Sequence, residues 1–129
     1  MTPAPSTSLR LRIVFGPGAM LGPGKADLLE GIDRAGSISA AGRAMGMSYK
    51  RAWSLVEEMN RLFHAPLVAS SRGGVQGGGA RLTETGQAVL AHYRRIEDRL
   101  AVAGADDLAA LRAMLRAPGD GGGDMSGGE

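Results

Sequence analysis

Lys50, Arg51 and Ser54 fall within about one helical turn of each other, directly after Ser48 and Tyr49. Cations and hydroxyls gathered at the start of a helix can hydrogen-bond phosphate oxygens and the edges of bases. That chemistry needs one exposed helix held at a fixed angle, and the run from Ser37 to Trp53 reads as the device that holds it. Ser37 is placed to accept from the free N–H groups that open a first helix, and Ser39 lies in that helix's first turn. Small Ala40, Ala41 and Ala44 permit close helix approach, Gly46 makes a tight turn, and Ser48 caps a second helix. Two helices joined this tightly are a helix-turn-helix signature.

The periodicity of the second helix agrees. At about 100° per residue, Ala52, Val56, Met59 and Phe63 share one arc, with Tyr49 and Trp53 on one side and Leu55 and Leu62 on the other. Lys50, Ser54, Glu57 and Arg61 lie opposite, flanked by Arg51 and Glu58. Taken alone, Lys50 and Arg51 are equally the solvated face of an amphipathic helix; the turn before them and the segment after them favour contact with DNA. Trp53 reads as core, whereas Tyr49 reads equally as packing or as contact.

After this helix, residues 67–72 read as a short strand, residues 73–79 as a glycine loop and residues 80–83 as the returning strand. The hairpin has Arg72 and Arg81 at its shoulders and Gly73, Gly74, Gly77, Gly78 and Gly79 near its tip. Such a wing lies against the phosphate backbone or minor groove, where missing Cβ atoms permit close approach and arginine supplies charge. Gln76 is either a further contact or a solvated tip residue.

These residues carry a family resemblance. Gly36-Ser37-Ile38-Ser39, Ser48-Tyr49-Lys50, Ala52-Trp53, Met59-Asn60, Leu67-Val68, Gly73-Gly74, Gly77-Gly78-Gly79-Ala80, Leu82-Thr83 and Gly86 resemble the N-terminal DNA-binding domain of the ModE family of molybdate-responsive regulators. The Gly-Ser-x-Ser opening and the Leu-Thr-x-x-Gly after the wing are shared with LysR-type regulators. The Ser-Tyr-Lys-x-Ala-Trp run and the double-glycine, triple-glycine wing are what point to ModE. The resemblance implies a regulator that binds double-stranded DNA, with a link to molybdenum use. ModE proteins typically continue into molybdate-binding β-barrel domains, and no such segment is expected after the long helix here, so direct oxyanion binding is not carried over.

The rest of the chain supplies the frame. Leu9, Leu11, Ile13 and Phe15 alternate as in a half-buried strand, which leaves Arg10 and Arg12 on its wet face. Gly16-Pro17-Gly18 turns the chain, residues 19–21 can pair back, and a helix from about Lys25 to Ala35 buries Leu28, Leu29 and Ile32. Gly22-Pro23-Gly24-Lys25 fails as a phosphate-binding P-loop, because Ala19 and Ala26 stand where that motif needs glycine and a hydroxyl. Thr83 is placed to cap a helix from Glu84 to about Val102, with Ala88 or Val89, Tyr93, Ile96 and Leu100 as its apolar stripe. A second helical stretch, Asp106 to Leu115, carries Leu108, Leu111, Met114 and Leu115. This long helix either builds a dimer or folds back on its own core. The dimer is favoured, since one reading helix supplies few base contacts and a twofold pair reads two half-sites.

Composition sets outer bounds. The 129 residues fit one domain, and the absence of cysteine excludes a disulfide framework. His64 and His92 lie apart with no carboxylate arrangement beside them, so neither a metal nor another cofactor is expected. No catalytic triad is visible in the sequence, and an enzyme is not expected. No apolar run has transmembrane length and no signal-peptide pattern opens the chain, so the expected setting is the cytoplasm. Residues 1–83 hold ten Lys/Arg against five Asp/Glu, a net +5, while residues 84–129 carry five against eight, a net −3. A basic reading half with an acidic far side suits a nucleic-acid binder.

The expected architecture is mainly α with a small β component, a winged helix-turn-helix with N-terminal strands and a long C-terminal dimerisation helix. Residues 1–8 are expected to be flexible, 9–116 to form the domain, and 117–129 to be a disordered Gly-rich tail. The expected partners are double-stranded DNA and a second copy of the chain. Alternatives are a LysR-like regulator unrelated to molybdenum, or an interaction module that docks a separate sensor protein.

Overall fold

The computed structural model describes residues 7–71 and 79–116. Its elements run β1 (Ile13–Gly16), β2 (Ala19–Leu21), α1 (Pro23–Ala35), α2 (Ile38–Ala44), α3 (Tyr49–Leu62), β3 (Val68–Ser71), β4 (Gly79–Leu82), α4 (Glu84–Ala103) and α5 (Ala105–Ala113). The architecture is the expected one, mostly helical with two small antiparallel hairpins. Among the described residues, those between 10 and 97 form one compact unit, and 98–116 gather with 7–9 into another. The expected tail, 117–129, lies outside the described residues.

In the larger unit the first strand is shorter than the alternation of residues 9–15 predicts. Its partner β2 is three residues long and ends where Gly22 caps α1, so pairing stops at Ile13↔Leu21 and residues 9–12 have no edge to join. Phe15, more than half exposed, meets Phe63 edge to face at 6.2 Å. Helix α1 starts at Pro23 rather than Lys25, because proline at the first helical position has no N–H to leave unsatisfied. It ends at Gly36, whose left-handed backbone (φ +72°) lets its N–H reach the Ile32 carbonyl at 2.8 Å.

One core holds Leu28, Leu29 and Ile32 of α1, Ile38 and Ala41 of α2, Ala52, Leu55, Val56 and Met59 of α3, and Leu67, Val68, Ala80 and Leu82 at the wing base. The α3 set follows the predicted arc except at Phe63, which lies past the helix end in extended backbone and is half-buried. A smaller cluster of Leu21, Ala26 and Tyr93 joins the first hairpin, α1 and α4. The Tyr93 hydroxyl donates to the Leu11 carbonyl, and burial followed by the Glu97 charge raises the phenol pKa above its usual value.

Arg94 fastens α4 to α1. Its guanidinium reaches Asp27 at 2.9 Å, Glu30 at 2.6 Å and, on α4 itself, Glu97 at 3.0 Å. Partial burial pulls its pKa down, and the hydrogen bonds to the three carboxylates outweigh that and hold it above the ordinary arginine value. Of the predicted α4 stripe, Tyr93 is buried and Val89 half-buried, whereas Ile96 and Leu100 are exposed. Beyond residue 98, α5 ends at Ala113 instead of Leu115, and its Arg112 donates to the Thr7 hydroxyl. Leu111, Met114 and Leu115 are exposed and Leu108 is half-buried. Among the described residues no helix is long and apolar enough to cross a membrane.

Candidate nucleic-acid interface

Serine caps fix both helices of the reading unit. Ser37 Oγ accepts from the Ala40 N–H at 3.0 Å and Ser48 Oγ from the Arg51 N–H at 3.1 Å, each local bond satisfying one free helix-start donor. Between the helices, the N–H groups of Met45 and Met47 both reach the Gly42 carbonyl and that of Gly46 reaches Arg43. Gly46 takes φ +75°, the left-handed conformation that lets the turn close in so few residues.

The close approach of α2 to α3 rests on different residues from those the sequence suggested. Gly42 faces Ala52 so nearly that an added Cβ would lie 2.7 Å from the Ala52 Cβ, and one on Gly31 would lie 3.1 Å from that of Ala41. Ala41 is buried as expected, Ala40 is half-buried and Ala44 is exposed. The α2–α3 contact therefore runs through Gly42 and Ala52, and the α1–α2 contact beside it through Gly31 and Ala41.

This packing leaves Ser48, Tyr49, Lys50, Arg51 and Ser54 exposed along the first turns of α3. Tyr49 is 60% exposed and touches Trp53 edge to face at 6.2 Å. Trp53 packs half-buried against the main core as expected, and its buried indole Nε1 has no hydrogen-bond partner among the described residues. Ser37 and Ser39 are half-buried on the first turn of α2. Arg51 is turned from the Lys50 and Ser54 face towards α1, where it lines a groove with Arg12, Gly24 and Lys25. Sequence reasoning missed Arg12 at this place, because the groove joins segments far apart along the chain. Lys25 is committed inside the fold, its Nζ 3.0 Å from both the Met20 carbonyl and Glu58.

The wing pairs Val68↔Leu82, Ala69↔Arg81, Ser70↔Ala80 and Ser71↔Gly79. Arg81 is exposed and Gly79 half-buried. The remaining wing candidates, Arg72, Gly73, Gly74, Gln76, Gly77 and Gly78, lie outside the described residues. The wing base is clamped by a residue that periodicity alone does not single out. The Asn60 amide oxygen accepts from the N–H groups of Leu67 (2.8 Å) and Val68 (3.1 Å), while its Nδ2 donates to the Val68 carbonyl. Thr83 N–H donates to the Leu67 carbonyl at 2.9 Å, its hydroxyl donates to the Pro66 carbonyl at 2.7 Å, and the same oxygen accepts from the Gly86 N–H as the predicted cap of α4. Ala80 N–H reaches the Gly36 carbonyl at 3.0 Å.

With this geometry in view, comparison with known proteins is specific. Residues 26–87 match the family described as bacterial regulatory helix-turn-helix protein, lysR family. Over 80 residues the chain is 50% identical to the molybdenum-pterin-binding protein MopB of Rhodobacter capsulatus, covering 62% of this chain and 30% of MopB. It is 44% identical over 80 residues to the molybdenum transport protein ModE of Azotobacter vinelandii, covering 62% of this chain and 30% of that one. Over 99 residues it is 37% identical to the DNA-binding transcriptional dual regulator ModE of Escherichia coli, covering 74% and 38%. The chain thus spans about a third of the length of these curated relatives. The fold also matches that of full-length CbnR, solved in complex with its target DNA, with a TM-score of 0.50 and 22% identity over 67% of this chain and 28% of that one. Residues 26–87 thus match the LysR-type helix-turn-helix family, and the chain is similar to ModE and Mop proteins over 62–74% of its own length.

Proposed function

We propose that this chain binds double-stranded DNA sequence-specifically and regulates transcription in the cytoplasm, at genes tied to molybdenum use. The observation that carries the reading is the first turn and a half of α3, whose Tyr49, Lys50 and Ser54 are exposed on a helix that close α2 packing holds in place. Major-groove readers of this type contact base edges from the N-terminal residues of the second helix. Lys50 and Ser54 read bases or phosphates, Ser37, Ser39, Ser48 and Arg81 bond the backbone, and the wing glycines admit it. The molybdenum link rests on homology to ModE and the Mop proteins.

The test is titration of the 129-residue chain against duplexes selected from a random pool and against unselected duplex at fixed salt. Selected duplex is expected to bind more tightly; equal affinity for both would refute sequence-specific recognition and favour an interaction module. Lys50→Ala is expected to cost about 1–3 kcal/mol on selected duplex and to relax the preference at one base pair. Equal weakening on both duplexes would make Lys50 a phosphate anchor. Genes beside the sites recovered from cells test the molybdenum link.

The protein acts as a homodimer in this reading. Leu100 and Val102 of α4, with Leu111, Met114 and Leu115 further on, expose more apolar surface than a solvated helical segment needs. A second copy covering them places two reading helices on two half-sites. Sedimentation equilibrium is expected to give a dimer at micromolar concentration, and the paired change Leu100→Asp, Leu111→Asp a monomer. A wild-type monomer would overturn this part of the reading.

A further inference from the structure

Beside α3 lies an open groove of about 340 Å³ between the first turn of α1, the residues ahead of β1, and α3 itself. Three cations line it: Arg12, Lys25 and Arg51. Lys25 is neutralised by Glu58 and held by the Met20 carbonyl. The guanidiniums of Arg12 and Arg51 are exposed and make no ion pair or side-chain hydrogen bond among the described residues. Two guanidiniums that line one groove without a carboxylate partner leave their donors free for an anion.

We infer that Arg12 and Arg51 form a clamp for one backbone phosphate of the DNA strand that borders the groove read by α3. The inference rests on the DNA-binding reading above and assigns it a site that neither the wing nor the outward face of α3 supplies. Geometry selects a phosphate rather than a base. Arg51 leaves the face shared by Lys50 and Ser54 and turns towards α1, so it points along the flank where a strand runs past the helix. The stem of Arg12 lies across Gly22, with its Cγ 3.7 Å from where a Cβ on that glycine would stand. The site is a groove and not a closed cavity, so a polymer can enter and leave it on either side. Gly24 at its rim has open space where a side chain would otherwise intrude. The amides of Gly24 and Lys25 precede the first intrahelical bond, from Ala26 N–H to the Gly22 carbonyl, and add two donors beside the guanidiniums. Forked guanidinium donors suit phosphate oxygens. Arg12 therefore serves as a DNA contact supplied by the segment before the first strand, and Arg51 as a backbone anchor rather than a base reader.

The experiment measures the slope of log K against log salt for the whole chain on selected and unselected duplex. Each neutralised phosphate contributes about 0.9 to that slope. Arg12→Ala is expected to weaken both duplexes by the same factor and the double change Arg12→Ala, Arg51→Ala to flatten the slope by about that amount, with the melting temperature unchanged because both side chains are exposed. Arg12→Lys is expected to keep the slope. Arg51→Ala is expected to lose affinity without loss of base preference. A slope unchanged in the double variant Arg12→Ala, Arg51→Ala, on a wild-type chain that binds duplex, overturns the clamp and leaves the DNA-binding reading standing. A wild-type chain that binds no duplex overturns both. Melting in inorganic phosphate separates the other source of the same chemistry. A saturable rise in melting temperature lost in Arg12→Ala, with the DNA slope unmoved, would overturn the backbone assignment in favour of a free-anion site.

Discussion

Gly86→Ala is expected to destabilise the domain by roughly 3 kcal/mol or more, combining overpacking with disturbance of a helix cap. A Cβ at this position would stand 2.1 Å from the Leu67 carbonyl oxygen and 3.0 Å from its carbon, both backbone atoms that no side-chain rotation can move aside. The same carbonyl accepts the Thr83 N–H, and the Thr83 hydroxyl both caps Gly86 and holds the Pro66 carbonyl. Making room for one methyl group therefore parts the start of α4 from the start of the wing and strains three hydrogen bonds together. Denaturant unfolding should show a lower midpoint at an unchanged slope. A variant with wild-type stability would mean that α4 approaches the wing less closely than described.

Gly42→Ala acts on the reading unit itself. Its Cβ would meet that of Ala52 at 2.7 Å, about an ångström inside ordinary carbon contact. The helices must separate, at an expected cost of about 1–3 kcal/mol. Because α3 carries Lys50 and Ser54, affinity for selected duplex should fall further than stability alone predicts. The reciprocal change, Ala52→Gly, vacates the space, so the double variant should recover most of the packing loss, the helix-propensity loss of about 1 kcal/mol at 52 being offset by a similar gain at 42. A double-mutant cycle with no coupling between the positions would refute the contact.

What could be read from the sequence was what depends on neighbours in the chain. Ser37 and Ser48 cap helices through bonds to residues three further on, and Gly46 turns the backbone within its own φ, so their roles follow from local chemistry. The α3 arc was legible because one face of that helix is buried along most of its length, and it failed at Phe63 because the helix stops first. The length of β1 was not legible, since it is set by how soon Gly22 ends β2. Nor was the choice of Gly42 over Ala44 as the contact residue, because that depends on which face of α2 meets α3. Arg12 lies ahead of a strand that does not reach it, and its groove exists only once α1 and α3 are packed. Asn60 entered the sequence reading as part of a family pattern; its role as a clamp becomes visible only when Leu67 and Val68 fold back onto it.

Gly36 links two parts of the molecule that the chain order keeps apart. Its left-handed backbone turns the chain out of α1, and its carbonyl accepts the Ala80 N–H of β4. The wing root and the reading helix are therefore both referenced to α1, as two arms of a caliper are referenced to one frame. The same wing root is held to α3 by the Asn60 clamp on Leu67 and Val68, so the two arms are joined both through the frame and directly to each other.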